Sequence, residues 1–255
     1  MNREYENNRT FIWIIIIVAI VVYGSSNNIG FGIFGSSRLQ ETLTFDKNEI
    51  DKIEVSSTSA DVEIEKYSGE QLKVEIYSDH KNNASPYAMI EGNVLKIIAK
   101  RHTSHGMNFG FNNHRVKLYI PKDEVLEYDI VTSSGDIKSS YIEAVAWIGK
   151  TTSGDIEIKE SRGTIINMQT SSGDVEADVF ATDCSISTTS GDIELNVGGK
   201  SNKVEARSTS GNIEFDIEDA STIDLSSTSG NVKGNVGANT LLVKTTSGNI
   251  NLDLT

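Results

Sequence analysis

The sequence contains little cysteine, little proline and few aromatic residues. A single cysteine, Cys184, excludes an intrachain disulfide and a metal site built from several thiolates. Only 2 prolines and 7% aromatic residues stand beside 21 glycines and long runs of serine, threonine, asparagine, isoleucine and valine. Such residues favour strands and tight turns over helices. The composition therefore predicts an all-β protein.

Positive charge is scarce as well, since the formal net charge at pH 7 is -13. A chain of this charge repels a phosphate backbone, and no stripe of lysine and arginine with interleaved aromatic residues occurs. The motifs G-x-S-x-G and H-E-x-x-H and a phosphate-binding loop are also absent from the sequence. These absences argue against nucleic-acid binding and against the common classes of enzyme.

One long apolar run is present, from Phe11 to Tyr23. A bilayer needs about 20 apolar residues, so this run fits either an uncleaved transmembrane anchor or a cleaved signal peptide. Arg3 and Arg9 precede it, which predicts a cytoplasmic N-terminus, an extracytoplasmic remainder and a single crossing of the cell membrane. The expected order is a cytoplasmic tail at 1–10, the anchor at 11–23 and a flexible tether at 24–40.

A six-residue turn motif, [ST]-[ST]-S-G-[DN]-[IV], recurs through the region 128–255. Its glycines are Gly135, Gly154, Gly173, Gly191, Gly211, Gly230 and Gly248. They are spaced by 19, 19, 18, 20, 19 and 18 residues. A repeat this regular is typical of a stacked array, in which each coil buries the apolar face of its neighbour.

Apolar residues alternate with polar ones on both sides of each turn motif. The column seven residues before the glycine contains Tyr128, Trp147, Ile166, Cys184, Val204, Ile223 and Leu241. The column two residues after it contains Ile137, Ile156, Val175, Ile193, Ile213, Val232 and Ile250. This pattern predicts two short strands per coil, each with one buried face, and hence a parallel β-solenoid of about 19-residue coils. The alternatives are a left-handed hexapeptide helix and an antiparallel sandwich.

The region 41–127 is predicted to form irregular β coils that continue or cap the same solenoid. Ser57 to Val62 is a degenerate copy of the turn motif, in which Ala60 replaces the glycine. Ala60 precedes Gly135 by 75 residues, close to four repeat lengths. At the other end, Asn249 to Thr255 still follows the repeat, so we expect a free pairing edge there and end-to-end self-association.

The turn residues have structural explanations. Glycine permits either a positive φ or a close approach between coils, and the Ser/Thr hydroxyls can bond within and between coils. Stacking also brings four carboxylates into one column, Asp136, Asp155, Asp174 and Asp192. These side chains form a candidate calcium ladder, the alternative being that each Asp hydrogen-bonds to its own turn.

An N-terminal anchor, the strand pair IEVSSTSADVEIE, the segment PKDEVLEYDIVTSSGDI and the serial turns together resemble the bacterial putative-adhesin family, a domain of unknown function. The similarity covers about Phe45 to Thr255. The resemblance implies a β-solenoid held at the cell envelope, often in loci that respond to envelope stress, and it implies no catalytic residues.

Two further groups of residues have the chemistry of possible sites. The loop from His102 to His114 gathers three of the four histidines and could bind a metal or simply be solvated. The paired acids Glu157 and Glu176 fall on an outward strand face, where solvation is the ordinary explanation. The expected function is therefore a non-enzymatic, membrane-anchored extracytoplasmic scaffold, with no cofactor, that binds a cell-wall polymer or an envelope protein. The alternatives are a regulatory component of an envelope-stress response and a polysaccharide-active enzyme.

Overall fold

The computed structural model describes residues 38–78, 87–99 and 114–254. The tail at 1–10, the apolar run at 11–23, the tether as far as residue 37 and the histidine loop as far as residue 113 lie outside them. The predictions for those segments therefore stay predictions. Among the described residues, no helix is long and apolar enough to cross a bilayer.

The described residues form strands joined by short turns and one short 3-10 helix, Lys47–Glu49. The strands are β1 (Arg38–Phe45), β2 (Lys52–Ser57), β3 (Asp61–Tyr67), β4 (Leu72–Ser78), β5 (Tyr87–Glu91), β6 (Val94–Ala99), β7 (Arg115–Pro121), β8 (Leu126–Val131), β9 (Ile137–Ser140), β10 (Glu143–Lys150), β11 (Ile156–Gln169), β12 (Val175–Ser187), β13 (Ile193–Ser208), β14 (Ile213–Ser227), β15 (Val232–Thr245) and β16 (Ile250–Leu254).

The strands stack as a parallel β-solenoid. We call the segments that lead into the glycine turns the entry sheet and those that leave them the exit sheet. Strands β11 to β15 each begin in the exit sheet, bend at a second corner and continue into the entry sheet of the next coil, with register shifts at the bend. All these pairings are parallel, so the predicted solenoid with two strand segments per coil is confirmed, and the antiparallel sandwich is excluded.

The aligned apolar columns form one continuous core between the two sheets. In the column two residues after the glycine, every member from Ile137 to Val232 is at most 1% exposed. A small residue makes room for a large one at Gly149. Trp147 is 1% exposed, and its indole occupies the space beside Gly149, where a Cβ would lie 2.4 Å from the ring. The periodicity read from the sequence is thus the periodicity of the core.

The turn glycines are required by close packing and not by a special backbone angle. None of them has a positive φ, a conformation that the described glycines adopt at Gly92, Gly199 and Gly234. A Cβ on Gly173 would lie 1.9 Å from the carbonyl oxygen of Gly154 in the preceding coil, and the other turn glycines show similar distances. The glycines are therefore explained by the close approach between coils and not by a positive φ.

The order of the N-terminal coils differs from the sequence-based expectation. The 75 residues between Ala60 and Gly135 suggest four coils, yet the two turns are direct neighbours, because β3 pairs with β9 and β2 with β8. The intervening strands β6 and β7 lie on the far side of β2 and β3. Beyond them β4 and β5 pair in antiparallel fashion with β7 and β6, and β1 with β4.

This arrangement places a cap of antiparallel strands at the N-terminal end of the solenoid. An antiparallel strand reverses the hydrogen-bonding pattern and so interrupts the parallel stacking of further coils. The prediction of a capping region is consistent with this topology, whereas the domain boundary at residues 127 and 128 stays a prediction.

The close approach of the turns predicts a strong effect of Gly173→Ala. The added Cβ collides with the carbonyl of Gly154, and backbone atoms of a stacked coil cannot move aside cheaply, so we expect a loss of about 2–4 kcal/mol in the free energy of unfolding. Gly163→Ala is the control, because its Cβ would lie 3.0 Å from the Ile166 side chain and, beyond its chain neighbours, no nearer than 3.6 Å to a backbone atom, the Ile165 carbonyl oxygen. Urea unfolding measures both variants, and equal losses would contradict the explanation.

Candidate functional surfaces

A column of buried hydroxyl groups ties the turns together. The Thr170 Oγ1 accepts a hydrogen bond from the backbone N–H of Gly173 at 3.1 Å and donates one to the carbonyl of Gly154 at 3.0 Å. Thr151, Thr188, Ser208, Ser227 and Thr245 repeat both bonds. The predicted bonding of these hydroxyls within and between coils is thus confirmed, and it leaves them no role as nucleophiles.

The Asp/Asn column forms a second set of bonds between coils. The Asp155 Oδ1 accepts the backbone N–H of Asp174 at 2.8 Å, and each member of the column does the same for the next. The alternative that each Asp hydrogen-bonds to its own turn is therefore wrong, because its Oδ1 accepts a hydrogen bond from the following coil instead. The column begins one coil earlier than expected, at Asp61, whose Oδ1 accepts the Asp136 N–H at 3.1 Å.

The four aspartates proposed as a calcium ladder do lie in one column. Each uses Oδ1 for the neighbouring backbone, and the described residues hold no group of three or more His, Cys, Asp or Glu side chains arranged to bind a metal ion. The column is thus explained by hydrogen bonding, and calcium binding stays a prediction.

Asp61 is half-buried, whereas Asp155, Asp174 and Asp192 of the same column are exposed. Burial raises the pKa of this carboxyl, the neighbouring Asp136 carboxylate raises it further, and the bond from the Asp136 N–H opposes both. A raised pKa means that the folded state disfavours the charged form of the group. Ionised Asp61 therefore destabilises the fold at neutral pH, even though its Oδ1 makes a useful bond.

The outer face of the exit sheet carries a row of glutamates at coil spacing, Glu157, Glu176, Glu194 and Glu214. Glu157 pairs with Lys138 at 2.9 Å and with Lys159. Hydrogen bonds from Lys159 and Lys138 hold the pKa of Glu157 below its usual value. Glu157 and Glu176 are thus register neighbours, as expected, but Glu157 is not suited to donate the proton that glycoside hydrolysis requires.

A shallow cleft interrupts this face beside the short strand β9. It is lined by Glu63, Glu65, Lys138, Ser140 and Glu157 together with Ile64 and Ser139. The Ser139 Oγ is buried and has no hydrogen-bond partner among the described residues. The cleft presents both signs of charge and the hydroxyl group of Ser140. The alternation of apolar and polar residues does not predict this cleft. The one unusual feature is a serine, Ser139, at an inward position.

A second polar cluster lies on the cap and was not anticipated from the sequence. Glu75 accepts hydrogen bonds from Lys73 Nζ at 2.9 Å, Tyr77 Oη at 2.8 Å and Tyr119 Oη at 3.1 Å. Burial opposes ionisation of Glu75, but the bonds from Lys73 and the two tyrosines outweigh it and lower the pKa. The Lys73 ammonium also lies 3.8 Å from the centre of the Tyr119 ring. These contacts fasten β4 to β7.

The environment of Asp61 predicts that Asp61→Asn stabilises the protein at neutral pH. The amide oxygen keeps the bond to Asp136, as Asn212 and Asn231 do in later coils, while the buried charge is removed. We expect a melting temperature about 1–4 °C higher at pH 7. The gain should vanish as the pH falls below 3.8, the ordinary pKa of the group, because the wild-type carboxyl is then neutral in both states.

Asp61→Ala is the matched control for this prediction, because it removes the charge and the acceptor together. It should lower the melting temperature, since it leaves the N–H of Asp136 without its partner. Stabilisation by alanine, or none by asparagine, would contradict the account. Differential scanning calorimetry across pH 3 to 8 measures all three proteins.

Several solved structures are similar to this chain. A solved structure described as a putative lipid binding protein from Parabacteroides distasonis aligns with a TM-score of 0.51 and 19% identity, covering 84% of this chain and 96% of that chain. A putative adhesin from Bacteroides fragilis aligns with a TM-score of 0.49 and 18% identity, over 87% and 100% of the two chains. A putative adhesin from Parabacteroides merdae aligns with a TM-score of 0.48 and 13% identity, covering 86% of this chain and 98% of that chain.

No curated protein matches the chain. A family model does: the one described as Toastrack DUF4097 matches residues 50–255. The resemblance inferred from the turn motif and the strand pair is confirmed by this match. The chain belongs to the Toastrack DUF4097 family.

Proposed function

We propose that the protein is a non-enzymatic scaffold of the cell envelope, which presents the outer face of its exit sheet to a wall polymer. The observation that carries the proposal is the shortness of the turns between the strands. Coils of 18 to 20 residues spend nearly all of their length on strands and tight turns. Nine parallel strands of the exit sheet, from β7 to β16, extend for about 40 Å at the usual strand spacing.

The same geometry argues against an enzyme. A polysaccharide-active β-helix holds its substrate between walls that are built from insertions in the coils, and the regular coils here have no residues to spare for such walls. The cleft beside β9 is shallow, and its Glu157 is held ionised by two lysines. Extended surfaces of stacked repeats serve binding instead.

The cleft is the part of the face best suited to a polyhydroxylated chain. Lys138 and the flanking glutamates offer both donors and acceptors, and Ser140 adds a hydroxyl group. Sugars are bound through such mixed polar contacts, in which each hydroxyl donates one hydrogen bond and accepts another. The neighbouring Tyr119 and Lys73 extend the polar surface toward the cap.

Anchoring to the membrane is the second part of the proposal. The apolar run from Phe11 to Tyr23, with Arg3 and Arg9 before it, supports an uncleaved anchor with a cytoplasmic N-terminus. The solenoid then lies outside the membrane, joined to it by the glycine-rich tether at 24–40. One solved relative is described as lipid-binding, but at 19% identity it supports the fold and not a lipid ligand for this chain.

Cysteine labelling tests the topology in intact cells. The only native cysteine, Cys184, is buried, and burial raises its pKa to about 12, so it gives little background with a membrane-impermeant maleimide. We expect Glu194→Cys, on the exposed exit face, to be labelled and Asn8→Cys, in the tail, to be labelled only after lysis. Labelling at residue 8 in intact cells, or none at residue 194, would overturn the proposed orientation.

Co-sedimentation of the full-length protein with purified cell-wall polymer tests the binding. Ser140→Trp fills the cleft, so we expect it to weaken binding by about tenfold, the effect of losing one central polar contact. Ser187→Trp is the matched control, because Ser187 lies in the entry sheet on the opposite face. The proposal fails if the wild-type protein does not bind the polymer or if both variants bind equally well.

A further inference from the structure

The coil that contains β16 exposes residues that the other coils bury. Ile250 is 46% exposed, whereas its counterpart Val232 in the preceding coil is 0% exposed. Leu254 is 75% exposed. In the entry sheet, Leu241 and Val243 are only partly buried, although their neighbours Ile223 and Leu225 are fully covered. One open side of the core is therefore in contact with solvent.

The carbonyl column and the Asp/Asn column also end at this coil, and their last acceptors have no donor among the described residues. Every earlier turn glycine from Gly135 to Gly230 gives its carbonyl to a hydroxyl of the next coil, and every earlier Asp or Asn gives its Oδ1 to a backbone N–H. Among the described residues, nothing donates to the Gly248 carbonyl or to the Asn249 Oδ1. The outer edge of β16 likewise pairs with no other described strand.

This edge lacks the devices with which proteins protect exposed strands. β16 reads Ile-Asn-Leu-Asp-Leu and contains no lysine, no proline and no bulge. The other end of the solenoid is protected differently, by the antiparallel strands β1, β4 and β5. An unprotected edge with apolar residues on its inner side is a surface built for pairing with another strand.

Charge makes a second copy of the same chain an acceptable partner. Residues 231–254 contain Lys233, Lys244 and Asp253 as their only charged side chains, a balance of +1 in a chain whose formal net charge is -13. Two copies that meet at this coil therefore avoid the repulsion that their acidic outer faces would produce.

We propose that this coil pairs with the same coil of a second copy around a two-fold axis. An axis perpendicular to both sheets sets β16 antiparallel to its counterpart and, at the same time, sets the entry segment of β15 antiparallel to its own. Both open edges and the exposed apolar residues are then covered in one step. A two-fold interface closes on itself, so the product is a dimer and not a fibre.

Sedimentation equilibrium of the full-length protein in density-matched detergent tests the proposal. We expect a mass of twice 27.8 kDa at micromolar concentrations. Ile250→Lys combined with Leu254→Lys places like charges across the interface and should weaken association at least about tenfold. Because both side chains are already exposed, melting temperatures near that of the wild type show that the coil itself is intact.

The control variant is Val145→Lys combined with Ile165→Lys, which are 49% and 47% exposed on the entry sheet away from the edge. It should associate like the wild type, which separates the edge from any association through the apolar run at 11–23. A monomeric wild type, a mass that keeps rising beyond the dimer, or equal behaviour of the two lysine variants would each overturn the proposal.

Disulfide formation provides a second measurement that does not depend on the lysine variants. With Leu252 on the axis, residue 251 of one copy lies opposite residue 253 of the other. Asn251→Cys combined with Asp253→Cys should then form an intermolecular disulfide on mild oxidation, and buried Cys184 does not compete. Asn235→Cys combined with Lys233→Cys, in the interior strand β15, should not, and cross-linking of both pairs alike would contradict the proposed interface.

Discussion

The structure depends on the close approach of successive turns. The carbonyl of one turn glycine occupies the place where the next glycine would carry a Cβ, about 2 Å away. This contact allows a buried hydroxyl to reach the carbonyl and an Oδ1 to reach the next backbone N–H. Two side-chain bonds between each pair of coils are thereby fixed at one edge, and they align the register of the sheets. The apolar columns align because the turns do.

Much of this could be read from the sequence, and the reason is physical. Period-two alternation records which face of a strand is buried, and a fixed glycine spacing records how many residues one coil uses. Both signals are local, so the columns that begin with Tyr128 and Ile137 were predicted member by member. The neighbourhood of Ala60 and Gly135 was not predicted. The parallel pairing of β3 with β9 joins segments that are distant in sequence, because the intervening strands β6 and β7 stack on the far side of β2 and β3. No spacing along the sequence encodes this stacking order.

The surfaces were harder to predict than the core for the same reason. The Glu75 cluster gathers side chains from β4 and β7, which pair in antiparallel fashion, and the cleft arises because β9 is shorter than its neighbour β3. Neither feature has a periodic signal. The partner of each Asp or Asn side chain could not be predicted either. An Oδ1 that accepts a bond from its own turn and one that accepts a bond from the next coil require the same residue at the same position.

The Asp/Asn column shows how one structural role leaves room for a second. Aspartate and asparagine both supply the Oδ1 that the stacking needs, so hydrogen bonding does not decide between them. The column nevertheless has aspartate from Asp61 to Asp192 and asparagine from Asn212 to Asn249. The negative charge of the column therefore falls toward the coil that contains β16. The charged part of the column thus lies away from the edge that we propose to pair, while the Oδ1 bonds between coils are made by aspartate and asparagine alike.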